Sequence, residues 1–173
     1  MTIEHTFRAL DIEHLISVLF NAHAVIQKIL PLAKDDPAWE GRSGAYFCLA
    51  DSRTGNPLLV IPLGVISPEE KANKYLTVCL EKARRLATNH WDVNKLHQSS
   101  WESRNPDEGK WGGAIIVRDF IFSMSGLPEL GDEFVMIAMA ARYFDNAPDV
   151  METLKNIAKR SNNQIWLRAL SLS

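Results

Sequence analysis

The chain is poor in cysteine. Among its 173 residues there are two, Cys48 and Cys79, each inside an apolar pattern. Two isolated thiols cannot make a disulfide framework, and no CxxC or tight Cys/His cluster suggests a zinc-type centre. Buried free thiols in a reducing compartment are the expectation. The chain also lacks an excess of basic charge: its formal net charge is −2. That removes a broad electrostatic drive toward nucleic acid or an anionic membrane. Long apolar runs are missing too. Leu15 to Phe20 is short and broken by Ser17, whereas a membrane span takes roughly 18–20 apolar residues. Glu4 and Asp11 precede that run, where a signal peptide would carry basic residues. A soluble, cytoplasmic protein is expected. No GxSxG, HExxH, P-loop or GxGxxG pattern occurs, and there is no internal repeat, low-complexity tract or linker.

What remains is ordinary globular composition, 46% hydrophobic and 23% charged, consistent with one domain over residues 1–173. Asp11 to Leu30 reads as a helix. Leu15, Val18, Leu19, Ala22, Val25, Ile26 and Ile29 form one stripe, and Pro31 ends it. His14 and His23 flank the stripe on opposite sides and cannot share an ion. Ala45 to Ala50 and Leu58 to Ile66 read as strands joined by the turn residues 51–57, a hairpin. Pro62 argues for an edge position or a bulge, because proline cannot donate to the ladder.

Ser67-Pro-Glu-Glu70 has the grammar of a helix start. Ser67 is expected to cap, Pro68 to occupy the first helical position and Glu70 to complete a capping box. The helix runs to about Asn89. Ala72, Tyr75, Leu76, Cys79, Leu80, Ala83, Leu86 and Ala87 form its apolar stripe, and its charges are expected to face solvent. Glu70/Lys74 and Glu81/Arg85 are favourable i,i+4 pairs. Residues 90–112 form a long loop. Gly113 to Arg118 and Phe120 to Ser125 read as two further strands, followed by a helix from about Pro128 to Phe144.

That last helix is apolar on two sides. Leu130, Phe134, Ile137, Ala141 and Phe144 make one face; Met136, Met139 and Tyr143 make another. Burial on two sides follows, with core plus subunit interface as the expectation and a cofactor against the methionines as the alternative. Asp149 to Ser161 reads as a short amphipathic helix, and Gln164 to Leu170 as a closing strand.

Two segments carry candidate chemistry. In the loop 99–113, Arg104 offers a donor fork for a carboxylate or phosphate, Trp101 and Trp111 offer flat surfaces, and Gly112-Gly113 permits close backbone approach. The alternative is a loop that packs on its own tryptophans. In the turn 125–133, Glu129, Asp132 and Glu133 are candidate acid/base groups. Their alternative is structural: acids in a first helical turn favour the positive end of its dipole, worth roughly 0.3–1 kcal/mol each. Ser125 or a neighbour is expected to cap that helix. His90 and His97 flank the loop and could meet a ligand; a surface position is the expectation.

The order of these pieces resembles a known family. A hairpin, an amphipathic helix, Gly112-Gly113-Ala114 opening a strand, then Ser125-Gly126 and Asp132-Glu133 in a helix is similar to the GlcG/HbpS-like proteins, the haem-degrading-domain family. The similarity covers about residues 11–145, strongest at 112–141, with residues 149–170 as a C-terminal helix and strand. It is closest to a branch whose turn continues as Leu127-Pro128-Glu129; Leu127 stands where the family turn usually has a second glycine. The resemblance implies an α+β, profilin-like fold: an antiparallel sheet of four to five strands with helices on both faces. It also implies a homo-oligomer, and haem as a candidate ligand through its propionates. The expected function is small-molecule binding, with an anionic ligand held by Arg104, Trp111, Gly112, Gly113, Ser125, Gly126 and Glu129. An enzyme acting on a small organic acid and a structural assembly protein stand as alternatives.

Overall fold

A computed structural model of the chain describes residues 12–32 and 37–165. Over these residues four helices and four strands follow one another in the order α1 (Ile12–Leu32), β1 (Gly44–Asp51), β2 (Pro57–Gly64), α2 (Glu69–His90), β3 (Ala114–Val117), β4 (Phe120–Ser125), α3 (Glu129–Tyr143) and α4 (Pro148–Arg160). Short 3-10 turns cover Pro37–Trp39, Ser100–Ser103 and Pro106–Glu108. The protein is α+β and profilin-like in arrangement.

The sheet is antiparallel throughout, in the order β2-β1-β4-β3. Each hairpin supplies one central and one edge strand, and α2 carries the chain from edge strand β2 to edge strand β3. Pro62 sits on the outer strand, opposite Tyr46, where its missing N–H costs no ladder bond. Successive side chains of a strand point to opposite faces, and here both faces are covered. Cys48, Ala50, Ala114, Ile116 and Ile121 pack with Cys79, Ala83 and Leu86 of α2. Phe47, Leu49, Ile115, Phe122 and Met124 pack on the other side with Val135, Met136 and Ile137 of α3. Such two-sided burial explains why the strands read as nearly continuous apolar runs rather than as clean alternations.

Several expectations are corrected. Helix α2 begins at Glu69, not Pro68, and Ser67 does not cap it. Pro68 is the boundary residue, in an extended conformation, and no side-chain cap bond forms. Its carbonyl instead takes the Lys71 and Ala72 amides at 3.0 and 3.3 Å. Nor does Ser125 cap α3: Pro128 is the boundary there and again no side-chain cap is made. The charges of α2 are not all solvated, since Lys82 is buried at 1% exposure. The methionine face of α3 is no subunit surface. Helices α1 and α4 pack against α3 within the same chain, Met136 and Met139 are buried, and Tyr143 makes edge contacts with the rings of His14, Phe120 and Phe122. Gln164 and Ile165 are helical; the rest of the expected closing strand lies outside the described residues. Among the described residues no helix is long and apolar enough to cross a membrane.

Candidate functional site

The turn from β4 into α3 organises the region. Gly126 has φ +155°, and a Cβ there would lie 2.5 Å from Ala45 Cα, so the turn presses directly on β1 as only glycine allows. Leu127 is buried, and its N–H donates to Asp132 Oδ1 at 2.9 Å. Asp132 Oδ2 takes a bond from Lys82 Nζ at 3.0 Å, and Lys82 also donates to the Met124 carbonyl at 2.8 Å. Burial pushes the Asp132 carboxyl up, against the opposing pull of Lys82 and the Leu127 amide. Gly113 makes room for this pair. It has φ +109°, and a Cβ there would sit 2.6 Å from Asp132 Cβ and 2.9 Å from Lys82 Nζ.

Glu129, one turn earlier, ties the turn to the loop 99–113. Its Oε1 accepts the Gly112 N–H at 2.7 Å, and both its oxygens lie 2.9 Å from Arg104 Nε. Arg104 in turn lies over the Trp101 ring, 5.0 Å from its centroid. The other side of the loop is held by Arg85 of α2. Its Nη1 donates to the carbonyls of Ser100 and Ser103, both at 3.0 Å, and its Nη2 to the Trp111 carbonyl at 2.6 Å. Glu81 orients Arg85 through Nε at 2.6 Å. The expected Glu81/Arg85 pair therefore forms, but as part of a clamp rather than as surface decoration. Glu133 does not face the turn. It is buried, and Ser99 donates to it at 2.7 Å, Asn163 at 3.2 Å, and Ser161 as well. Burial pushes its carboxyl up, against the pull of these three neutral donors.

A cleft of about 330 Å³ opens beside these elements. Its cations are Arg42, Lys74 and Lys82; its carboxylates are Glu129 and Asp132. Tyr75, Val78, Trp111 and Leu127 supply apolar wall, and Ser125 and Gly126 bring backbone to the rim. Both carboxylates are already matched, Glu129 by Arg104 and Asp132 by Lys82. Arg42 is held through one nitrogen: Nη1 donates to the Tyr75 hydroxyl at 2.6 Å and to the Gly126 carbonyl at 3.1 Å. Among the described residues, neither Arg42 nor Lys74 forms an ion pair. Among the described residues the Nε/Nη2 edge of Arg42 makes no hydrogen bond, and that edge is the one that grips a carboxylate with two parallel bonds.

Of the residues expected from sequence, Trp111, Ser125, Gly126 and Glu129 line the cleft. Arg104, Gly112 and Gly113 do not; they stand behind the wall, holding Glu129 and admitting the Lys82–Asp132 pair. Arg104 gives its Nε to Glu129 and its plane to Trp101, and so braces the wall from behind. The sequence reading missed Arg42, Lys74, Tyr75 and Lys82. Arg42 lies in an irregular connection with no motif around it. Lys82 carried one signal, a charge directly beside the apolar Cys79/Ala83 stripe. None of His14, His23, His90 and His97 lines the cleft, and His90 Nδ1 meets the His97 carbonyl at 2.7 Å.

Haem does not suit this lining. The usual axial ligands are His, Cys, Met or Tyr. Among the described residues the cleft offers none of the first three, and their one tyrosine there, Tyr75, already takes an N–H from Arg42. A small anion fits the donor set better. No family model, curated protein or solved structure matches the chain.

Proposed function

We propose that the protein binds a small carboxylate-bearing molecule in the cleft beside the Ser125–Pro128 turn. The observation that carries this reading is the open edge of Arg42, fixed in place by Tyr75 and Gly126 while both wall carboxylates are neutralised by other cations. Lys74, which forms no ion pair among the described residues, adds a second cation to the cleft. A half-buried cation with its donors pre-aimed binds a carboxylate at low ordering cost. The test is a titration of the protein with benzoate, followed by amide chemical shifts. Saturable shifts at residues 42, 75 and 126, abolished by Arg42→Met and spared by Arg104→Met, are expected. Equal loss in both variants sinks the assignment of Arg42.

The wider reading keeps the chain with the GlcG/HbpS-like proteins, supported by the order hairpin, helix, hairpin, Ser-Gly turn, helix. Self-association belongs to it, supported by Ile12, Ile16 and Phe20, an exposed apolar stripe of α1. A cytoplasmic location belongs to it too, supported by two buried free thiols. A second reading, an enzyme acting on a small acid, is supported by Asp132 and Lys82 both lining the cleft. Glu133 drops out of that reading, since its carboxylate is occupied by three neutral donors away from the cleft. Binding is the better-supported function because Asp132 is committed to Lys82 and the Leu127 amide.

A further inference from the structure

We infer that the ligand of this cleft is an aryl carboxylate, a planar ring carrying its acid group directly or on a short arm. The inference rests on the carboxylate reading of the cleft and adds the chemistry of the ligand's body. The space available, about 330 Å³, is at the small end for organic ligands. It suits one or two rings and leaves little room for a long chain.

The walls are aromatic and rigid. Trp111 and Tyr75 both line the cleft. Trp111 is held unusually firmly for a loop residue, because the peptide joining it to Gly112 is fixed at both ends. Its carbonyl accepts from Arg85 at 2.6 Å, and its N–H donates to Glu129 Oε1 at 2.7 Å. Tyr75 is buried on α2 and its hydroxyl is taken by Arg42. The same residue that carries the anion-binding edge is thereby tied to an aromatic wall. An acid group on Arg42 would place the ligand's body beside those rings. A flat π-face gains from aromatic neighbours beyond its buried area, and a puckered aliphatic ring of the same size does not. The wall carboxylates do not oppose this, since each is paired with a cation.

The test compares benzoate, cyclohexanecarboxylate and benzamide by calorimetry or chemical-shift titration of the intact chain. Benzoate is expected to bind roughly three- to tenfold tighter than cyclohexanecarboxylate, the worth of an aromatic pair beyond its area. Benzamide, lacking the charge, is expected to bind far more weakly than benzoate. Trp111→Leu should bring the two acids to equal affinity, and Trp111→Phe should keep the preference; retention of the native amide spectrum shows that both variants are folded. Equal affinity of the two acids for the wild-type protein overturns the aryl assignment while leaving carboxylate binding intact. No binding of either acid at millimolar concentration overturns both.

Discussion

Lys82 and Asp132 meet at 3.0 Å although they start from opposite faces of the sheet. Lys82 comes from α2 and Asp132 from the first turn of α3. They touch beside Gly113, where the missing side chain leaves a passage. The pair braces the two helical layers at the end of β4 and forms part of the cleft floor.

Removing one partner should therefore cost more than removing both. Lys82→Met leaves a buried carboxylate without its cation, at roughly 3–5 kcal/mol. The double variant Lys82→Met/Asp132→Leu should recover a large part of that. Gly113→Ala should also destabilise, because its backbone is left-handed and the new methyl meets both partners. Urea midpoints measured on the four proteins check this. A double variant no more stable than Lys82→Met contradicts it.

Glu133 should give stability a distinctive pH dependence. Its folded-state carboxyl titrates above its ordinary 4.5, because burial opposes the charge and three neutral donors offset only part of that. A group raised in the folded state contributes stability that is fully present below its unfolded value and is lost as pH rises through the folded one. Relative to Glu133→Gln, the wild type should lose stability on raising the pH from the ordinary glutamate range upward. Thermal melts of the two proteins across that range test the sign. A difference that grows in favour of the wild type with pH refutes it.

Arg85 should matter out of proportion to its place in a helical i,i+4 pair. Such a surface pair is worth roughly 0.3–0.5 kcal/mol. Arg85 also holds the carbonyls of Ser100, Ser103 and Trp111. Arg85→Met should speed hydrogen exchange throughout residues 99–113 while leaving β1 and β4 protected. Unchanged exchange in the loop would show that Glu129 alone suffices to hold it.

The thiols should be inert in the folded protein. Burial pushes Cys48 up to about 11 and Cys79 up to about 12, so thiolate is scarce at neutral pH. Thiol reagents are expected to label neither residue quickly until denaturant is added. Rapid labelling of the native protein at either position would place that cysteine at a surface.

The sequence by itself determined the elements and their class. Short apolar runs bounded by turn residues located the four strands, and period-3.6 stripes the four helices, to within a few residues, because both faces of the sheet are buried and each helix has to present an apolar stripe. Pro62 announced an edge strand, and two apolar faces on α3 announced burial on both sides. Local grammar misled at the helix starts: Ser67 and Ser125 had the right chemistry, but Pro68 and Pro128 are the boundary residues and no side-chain cap forms.

Only the tertiary structure decided what the charged residues do. Lys82, Arg85 and Arg104 look alike in sequence, yet the first is a buried brace, the second a loop clamp and the third a partner of Glu129. Arg42, in an unpatterned connection, is the one with an open donor edge on the cleft. Hydrophobic periodicity is local and survives in the sequence. Pairing between charges separated by 25 to 50 positions depends on where the sheet brings them, and nothing in the spacing of the chain encodes it.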